Sequence, residues 1–370
     1  MRESPTHSPT QSPTDSPAVR ATLDRLLDGV DLSEAEAAQL LTALTDPDLS
    51  PALAAALLAA LRAKGITGAE LRGFAQRMRA LARRPELPRL PDAVDIVGTG
   101  GDRSGSLNLS TGAALLAAAC GVPVFKHGNR SLSSRAGSAD VLEALGLPLP
   151  LDEAAAGRCF AALHFTFLFA PYYHPATRSI APVRAALGVR TVFNILGPLS
   201  NPAEPPFLVV GAFDAPTAEL MAQAMHGTHV KRAFVIHGAE GWDEPTPVGE
   251  FTLFDVTASG VRREQRSPAD YGLSPCASSD LAGADAAHNA REMRRVLCGE
   301  RVAGNAGTRD PHRDALLLGT ALALEVTGRE SSPRVAMARA AQAIEAGLGA
   351  KLLSRLTRFA ADELQRAPAA

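Results

Sequence analysis

The stretch Ala93-Val94-Asp95-Ile96-Val97-Gly98-Thr99-Gly100-Gly101-Asp102, followed after five residues by Asn108-Leu109-Ser110-Thr111, decides the fold. Residues 93–97 read as a short buried strand and Thr111 to Ala119 as a helix, with a glycine-rich turn between them. Such a turn is a natural anion site. Glycines let backbone N–H groups approach a phosphate, and the unpaired N–H groups and dipole at the helix start favour negative charge. Ser110 and Thr111 stand where an N-cap is expected, with hydroxyls able to cap the helix or turn toward a ligand or metal. The spacing is neither G-x-G-x-x-G nor G-x-x-x-x-G-K-[ST]. Alone, the turn is equally well a tight βα connection.

The next segment argues for the anion site. Val122-Pro123-Val124-Phe125 is a second strand, running into Lys126-His127-Gly128-Asn129-Arg130-Ser131-Leu132-Ser133-Ser134. A helix over 110–120 joins the two strands into a βαβ unit. Its right-handed crossover brings both polar loops to one crevice at the carboxyl ends of parallel strands. A point charge (Lys126), a guanidinium fork (Arg130), an amide and three hydroxyls suit phosphate, although either cation alone is equally a solvated surface charge.

Farther along, Ser138 caps a helix over Ala139 to Leu145, ended by Gly146. Residues 207–211 and 232–236 are apolar runs expected of strands covered on both faces. Helices are expected at 217–225, 286–299, 312–327 and 333–346, and a strand with one wet face at 250–256. The loop His237-Gly238-Ala239-Glu240-Gly241-Trp242-Asp243-Glu244 ends in two adjacent carboxylates, which can hold Mg²⁺ alongside substrate phosphates. By itself the pair is also an ordinary acidic turn.

Toward the N-terminus the pattern changes. Residues 1–20 repeat Ser-Pro-Thr with almost no apolar side chains, as in a disordered tail. From 21 to 90 leucines and alanines recur at helical spacing, with Ser33 and Ser50 as N-caps, and Pro85, Pro88 and Pro91 form a stiff linker. The expected architecture is α/β: a small N-terminal all-helical domain, joined by helices from about 150–190, and a larger α/β domain over 91–360 with a mainly parallel sheet flanked by helices. At 370 residues the chain exceeds one ordinary core. A net charge of −2 argues against a nucleic-acid or membrane partner. Four cysteines lack C-x-x-C spacing, no apolar run reaches membrane-spanning length, and no signal peptide is apparent, so a cytoplasmic enzyme is expected.

Taken together, Gly98-Thr99-Gly100-Gly101-Asp102, Asn108-Leu109-Ser110-Thr111, Lys126-His127-Gly128-Asn129-Arg130 and Gly137-Ser138-Ala139-Asp140 resemble the anthranilate phosphoribosyltransferases. The likeness continues through Phe167-Leu168-Phe169-Ala170-Pro171, His174-Pro175-Ala176, Pro182-Val183-Arg184 and the run Arg190 to Pro202, covering about residues 21–355. It implies transfer of the phosphoribosyl group of 5-phosphoribosyl 1-diphosphate (PRPP) to the amine of anthranilate, the second step of tryptophan synthesis from chorismate. It also implies Mg²⁺ and a homodimer joined through the helical domain. The fold is shared with pyrimidine nucleoside phosphorylases, which would need no Asp-Glu metal pair. A nucleic-acid-binding relative would show eroded glycine loops and a basic groove.

The resemblance assigns donor binding to Gly98, Gly101, Asp102, Ser106, Asn108, Leu109, Ser110 and Thr111 in the first loop. In the second it assigns Lys126, His127, Gly128, Asn129, Arg130, Ser131, Leu132, Ser133, Ser134 and Ser138. Gly98, Asn129 and Arg184 would bind anthranilate, Arg184 by gripping its carboxylate. Asp243 and Glu244 would hold metal, with Ser110 reaching a second ion. No catalytic base is assigned, because an aromatic amine already has a free lone pair; His127 is either a proton shuttle or a structural hydrogen bond. Arg103, Leu107, Pro245 and His288 depart from the family's usual pattern.

Overall fold

The computed structural model describes residues 17–88, 92–130, 135–300 and 309–366. These form two compact units: one of the chain up to Leu81 plus residues 175–193, the other of residues 82–174 and the chain from Asn194 onward.

The smaller unit is built from helices Pro17–Leu27, Glu34–Leu44, Pro51–Lys64 and Gly68–Ala80, with the short helix Ala181–Leu187. Leu26, Leu41, Leu44, Leu57, Leu58 and Phe74 fill its core. Ser33 caps its helix in a reciprocal box with Glu36, and Thr67 does the same with Glu70. Ser50 occupies the cap position without a side-chain bond, and Pro51 follows at the first helical position. The first helix starts at Pro17, inside the segment expected to be tail, because proline is well suited to a first turn and Leu26 anchors the helix in the core. Residues 1–16 lie outside the described residues. Residues 175–193 belong to this unit, whereas the helix Glu153–Leu163 belongs to the larger one.

The larger unit holds a seven-stranded sheet: β1 Val94–Gly98, β2 Val124–Gly128, β3 Phe165–Phe169, β4 Phe207–Gly211, β5 Arg232–His237, β6 Phe251–Thr257 and β7 Gly260–Arg266. The order is β3-β2-β1-β4-β5-β6-β7, parallel through β5 and antiparallel for the last two. After β1 the chain adds strands on one side, then returns to place β4 on the other. The β1–β4 boundary is therefore a topological switch point, where a crevice opens beyond the strand carboxyl ends. In that register Gly98 faces Gly211.

Two buried helices support this point. Leu109–Ala119 connects β1 to β2, and Pro311–Val326 has every residue from Ala315 to Val326 buried. They approach closely: a Cβ at Gly112 would stand 2.6 Å from the Leu316 side chain, and one at Gly319 would stand 2.8 Å from Ala113.

Strands β3 and β7 and the closing helix Leu348–Arg366 go beyond the sequence expectations. Strand β7 carries Arg262, Arg263, Glu264 and Arg266, as edge strands often carry charge, and so lacks an apolar run. Strand β6 is buried rather than half wet, since β7 covers its edge and the helix Ala215–Met225 packs against it. The segment around Pro85 and Pro88 is tied down by bonds from Arg83 N to Tyr173 O (2.8 Å) and from Glu86 N to Glu153 O (3.0 Å). Pro91 lies outside the described residues.

The tightest packing in the larger unit is at Gly211, where a Cβ would fall 1.5 Å from the main-chain oxygen of Asp243. Gly211→Ala must displace the 242–244 segment, and is expected to cost at least about 2 kcal/mol in urea unfolding. A variant as stable as the parent would show that this contact is slack.

Candidate active site

The carboxyl ends of β1, β4 and β5 carry the loops that build the site. From Gly98 the chain turns through Gly100, Gly101, Arg103 and Gly105, all with φ between 60° and 81°. Glycine accepts this backbone without strain; Arg103, exposed, is the exception. Across the crevice, Gly238 lets the β5 loop fold tightly on itself, since a Cβ there would stand 2.2 Å from Glu244 O. A Cβ on Gly98 would meet Asp243 Oδ2 at 2.3 Å. Glycines at 98 and 211 thus seat Asp243 directly on the ends of two strands.

The acidic pair is crowded. Asp243 Oδ2 accepts from Gly100 N, and Glu244 Oε1 accepts from Ser110 N at 3.2 Å. Burial, then the carboxylates of Asp102 and Glu244, push the Asp243 carboxyl well above its ordinary range. Burial pushes Glu244 up to about 7, against the pull of Lys126 and Ser110. Among the described residues no three acidic, histidine or cysteine side chains form a ready-made metal cage. The set nonetheless fits Mg²⁺. It offers two adjacent hard oxygen donors and a third carboxylate nearby, with substrate phosphates to complete the shell.

Asn108 takes the N-cap position of the helix Leu109–Ala119, just ahead of the cap expected at Ser110 or Thr111. Its side chain does not bond the helix N–H groups; Nδ2 donates to Ala136 O at 3.0 Å. Ser110 presents its N–H to Glu244. Leu109 buries its side chain in the core, leaving only main chain for a ligand. Ser106 pairs with Ala282 in an isolated bridge. Among the described residues the buried hydroxyls of Thr99 and Thr111, and Nε2 of His127, have no hydrogen-bond partner. Buried polar atoms without partners are costly unless a ligand or water satisfies them.

Several expected roles in the second loop change. Lys126 and His127 are strand residues, not loop residues, because β2 continues through them and both side chains are buried. Lys126 is 1% exposed, and its ammonium donates to Ile96 O between the carboxylates of Asp95 and Glu244. Burial lowers its pKa while those carboxylates raise it. His127 donates Nδ1–H to Gly197 O (3.1 Å) and lies edge-on to His174; burial and its neighbours lower its pKa to about 3. It is therefore a neutral imidazole and adds no positive charge for phosphate.

Arg130 is half-exposed and paired with Asp140 and Glu143. Asn129 accepts from Ser138 Oγ through its main-chain oxygen (3.0 Å), and Ser138 is the first helical residue, with Gly137 as cap. Gly128 permits this approach, as a Cβ would meet Ser138 Oγ at 2.5 Å. Ser131, Leu132, Ser133 and Ser134 lie outside the described residues. Arg184 belongs to the helical unit, where its guanidinium lies 4.9 Å above the Phe193 ring and burial lowers its pKa.

Asp95 and Asn201 join the site without having been expected there. Asp95 is fully buried; Asn201 Nδ2 donates to its Oδ2 (2.8 Å) and to Phe125 O (2.7 Å). Burial raises the Asp95 carboxyl to about 6 despite Lys126, Asn201 and the His127 N–H. The signal was present: an acidic residue inside an otherwise apolar strand needs a buried partner.

Comparisons with known proteins place this fold in a family. The α/β domain model of a glycosyl transferase family matches residues 90–350, and that family's helical bundle domain model matches residues 20–82. The anthranilate phosphoribosyltransferase of Desulforudis audaxviator is 43% identical over 342 residues, covering 92% of this chain and 96% of that protein. That of Rhodospirillum rubrum is 41% identical, covering 91% and 94%. The crystal structure of the Thermus thermophilus enzyme superposes with a TM-score of 0.84 at 40% identity, covering 92% of this chain and 99% of that one. The Saccharomyces cerevisiae enzyme in complex with PRPP and Mg gives 0.84 at 25% identity, covering 94% and 99%. An acidic pair seated on paired glycines at a switch point, beside a helix N-terminus, thus sits in a shared architecture, and this chain belongs to the anthranilate phosphoribosyltransferase family.

Proposed function

We propose that the chain transfers the phosphoribosyl group of PRPP to the amine of anthranilate, giving N-(5-phosphoribosyl)anthranilate and diphosphate. The observation that carries this reading is the Asp243–Glu244 pair. Two adjacent carboxylates at the strand ends offer hard oxygen donors to a cation, beside a helix N-terminus whose N–H groups favour phosphate.

The bond from C1 to diphosphate breaks as the bond from the amine nitrogen forms, and the nitrogen then loses a proton. Mg²⁺, when bound, would supply charge neutralisation on the departing diphosphate. The chain's own residues bind and align. The loop of Gly98, Gly101 and Asp102 shapes the diphosphate site, and Asn108, Thr111 and the helix N–H groups hold ribose and phosphate. Ser110, whose N–H donates to Glu244, would reach a second ion. Lys126 sets positive charge beneath Glu244 and the donor. Of the two roles open to His127, its burial and the bond from Nδ1 to Gly197 O favour the structural hydrogen bond over the proton shuttle. Asn129 and Gly98 border donor and acceptor, and Arg184 grips the acceptor carboxylate. Arg130, half-exposed and paired with Asp140 and Glu143, offers its fork to the donor's phosphate groups.

Assembly as a homodimer and a cytoplasmic location belong to the same reading. Exposed Leu27 and Val30 in the helical unit support the first; the second rests on the family resemblance and on the absence, among the described residues, of a helix able to cross a membrane. The direct test is loss of anthranilate fluorescence with PRPP and Mg²⁺.

The double variant Asp243→Asn/Glu244→Gln is expected to lose turnover at low Mg²⁺ and to shift the Mg²⁺ titration upward by an order of magnitude or more. Its melting temperature at pH 7 should not fall. Both carboxyls are raised in the folded state, so their ionisation as pH rises from about 4 opposes folding, and the amides remove that cost. An unchanged Mg²⁺ titration would sink the metal assignment.

For Arg184→Ala, KM for anthranilate should rise roughly ten- to a hundredfold, and KM for PRPP much less. Arg184→Lys should restore only part of the loss, since an ammonium lacks the planar fork. Equal effects on both substrates in a folded variant would place this arginine elsewhere.

A further inference from the structure

Behind the first loop, Asn289 in the helix Ala286–Leu297 is 1% exposed, and nothing in the reading above gives it a role. Its Oδ1 accepts from Ala284 N at 2.8 Å, and its Nδ2 donates to Asn108 Oδ1 at 2.9 Å. Asn108 Nδ2 donates onward to Ala136 O at 3.0 Å. The orientation of both amides follows from their end partners. Ala284 N–H can only donate, so Asn289 must turn its oxygen there and its nitrogen toward Asn108. Ala136 C=O can only accept, so Asn108 must turn its nitrogen there and its oxygen toward Asn289. Each choice forces the other. The chain of amides links three segments: 284–289, the start of the helix Leu109–Ala119, and Ala136 at the end of the second loop.

The main chain around it makes the same connection. Leu107 N donates to Leu281 O (3.0 Å) and Gly283 N to Gly105 O (2.8 Å), with Ser106 bridged to Ala282. The segments run too close for a side chain at 283, where a Cβ would stand 2.6 Å from Ser106 O. Residues 281–289 thus form a strap laid along the donor loop, and Asn289 is its buried polar anchor.

We propose that Asn289 is a positioning residue for the phosphoribosyl donor, acting through Asn108 to fix the first loop, the helix N-terminus and Ala136 in one arrangement. This rests on the reading of Asn108 as a donor contact. A carboxylate at 289 keeps the bond from Ala284 N but has no N–H to offer Asn108, and leucine, of similar volume, can make neither bond.

The test is steady-state kinetics of the full chain for Asn108→Ala, Asn289→Asp, Asn289→Leu and Asn108→Ala/Asn289→Asp, with melting temperatures alongside. Asn289→Asp and Asn289→Leu should each raise KM for PRPP about tenfold, as loss of a buried hydrogen bond implies. KM for anthranilate should stay within about twofold of the parent. The double variant should match Asn108→Ala alone, because both changes break one chain of contacts. The proposal is overturned if both Asn289 variants leave KM for PRPP unchanged while Asn108→Ala raises it. It is also overturned if the double variant shows the product of the single effects, or if both KM values and kcat worsen together with the melting temperature. Should Asn108→Ala itself leave KM for PRPP unchanged, the donor-contact reading fails, and the proposal with it.

Discussion

The site depends on how closely Asp243 approaches the sheet. With Gly98 and Gly211 side by side at the switch point, no Cβ lies between the β5 loop and the ends of β1 and β4. The Asp243 main chain rests where a methyl group on residue 211 would otherwise be, and its carboxylate reaches the N–H of Gly100. The neighbouring Glu244 reaches the N–H of Ser110 at the helix start. Two acidic side chains are thereby fixed beside a helix N-terminus. Such an arrangement suits a substrate that brings phosphates together with a divalent cation.

Beneath that surface, a second constraint holds the charge balance. Lys126 lies in the sheet between Asp95 and Glu244, and Asn201 clamps Asp95 to the main chain of Phe125. Lys126 and Asp95 each favour the other's charged form against the cost of burial, and both oxygens of Asp95 accept hydrogen bonds. The same network sets the His127 main chain, through its N–H to Asp95 (3.2 Å). The carbonyl of Gly197 then fixes the imidazole tautomer.

Much of this was legible in the sequence. The strand–glycine turn–helix at 93–119, the strands at 207–211 and 232–237, and the Asp243–Glu244 loop all announce themselves by apolar runs ending in glycine or acid. What was not legible has physical reasons. The pattern puts Lys126 and His127 in a loop because a buried ammonium and imidazole in a strand depend on partners, Asp95 and Gly197, that sequence spacing does not reveal. The pairing of Arg130 with Asp140 and Glu143, on the next helix, is likewise a contact that sequence spacing does not show. Strand β7 is invisible to apolar patterning, being an edge strand of arginine and glutamate. The strap at 281–289 contributes mainly through main-chain pairing and one buried amide, features with no periodic signature.

The central claim, that paired glycines seat a metal-binding acidic pair over the donor site, is tested most directly by crystals grown with PRPP and Mn²⁺ and measured at the manganese absorption edge. The account predicts anomalous peaks at oxygen-ligand distance, a little over about 2 Å, from the carboxylates of Asp243 and Glu244, bridging them to the diphosphate. Peaks bound only by phosphate and water, with both carboxylates turned away, would contradict it.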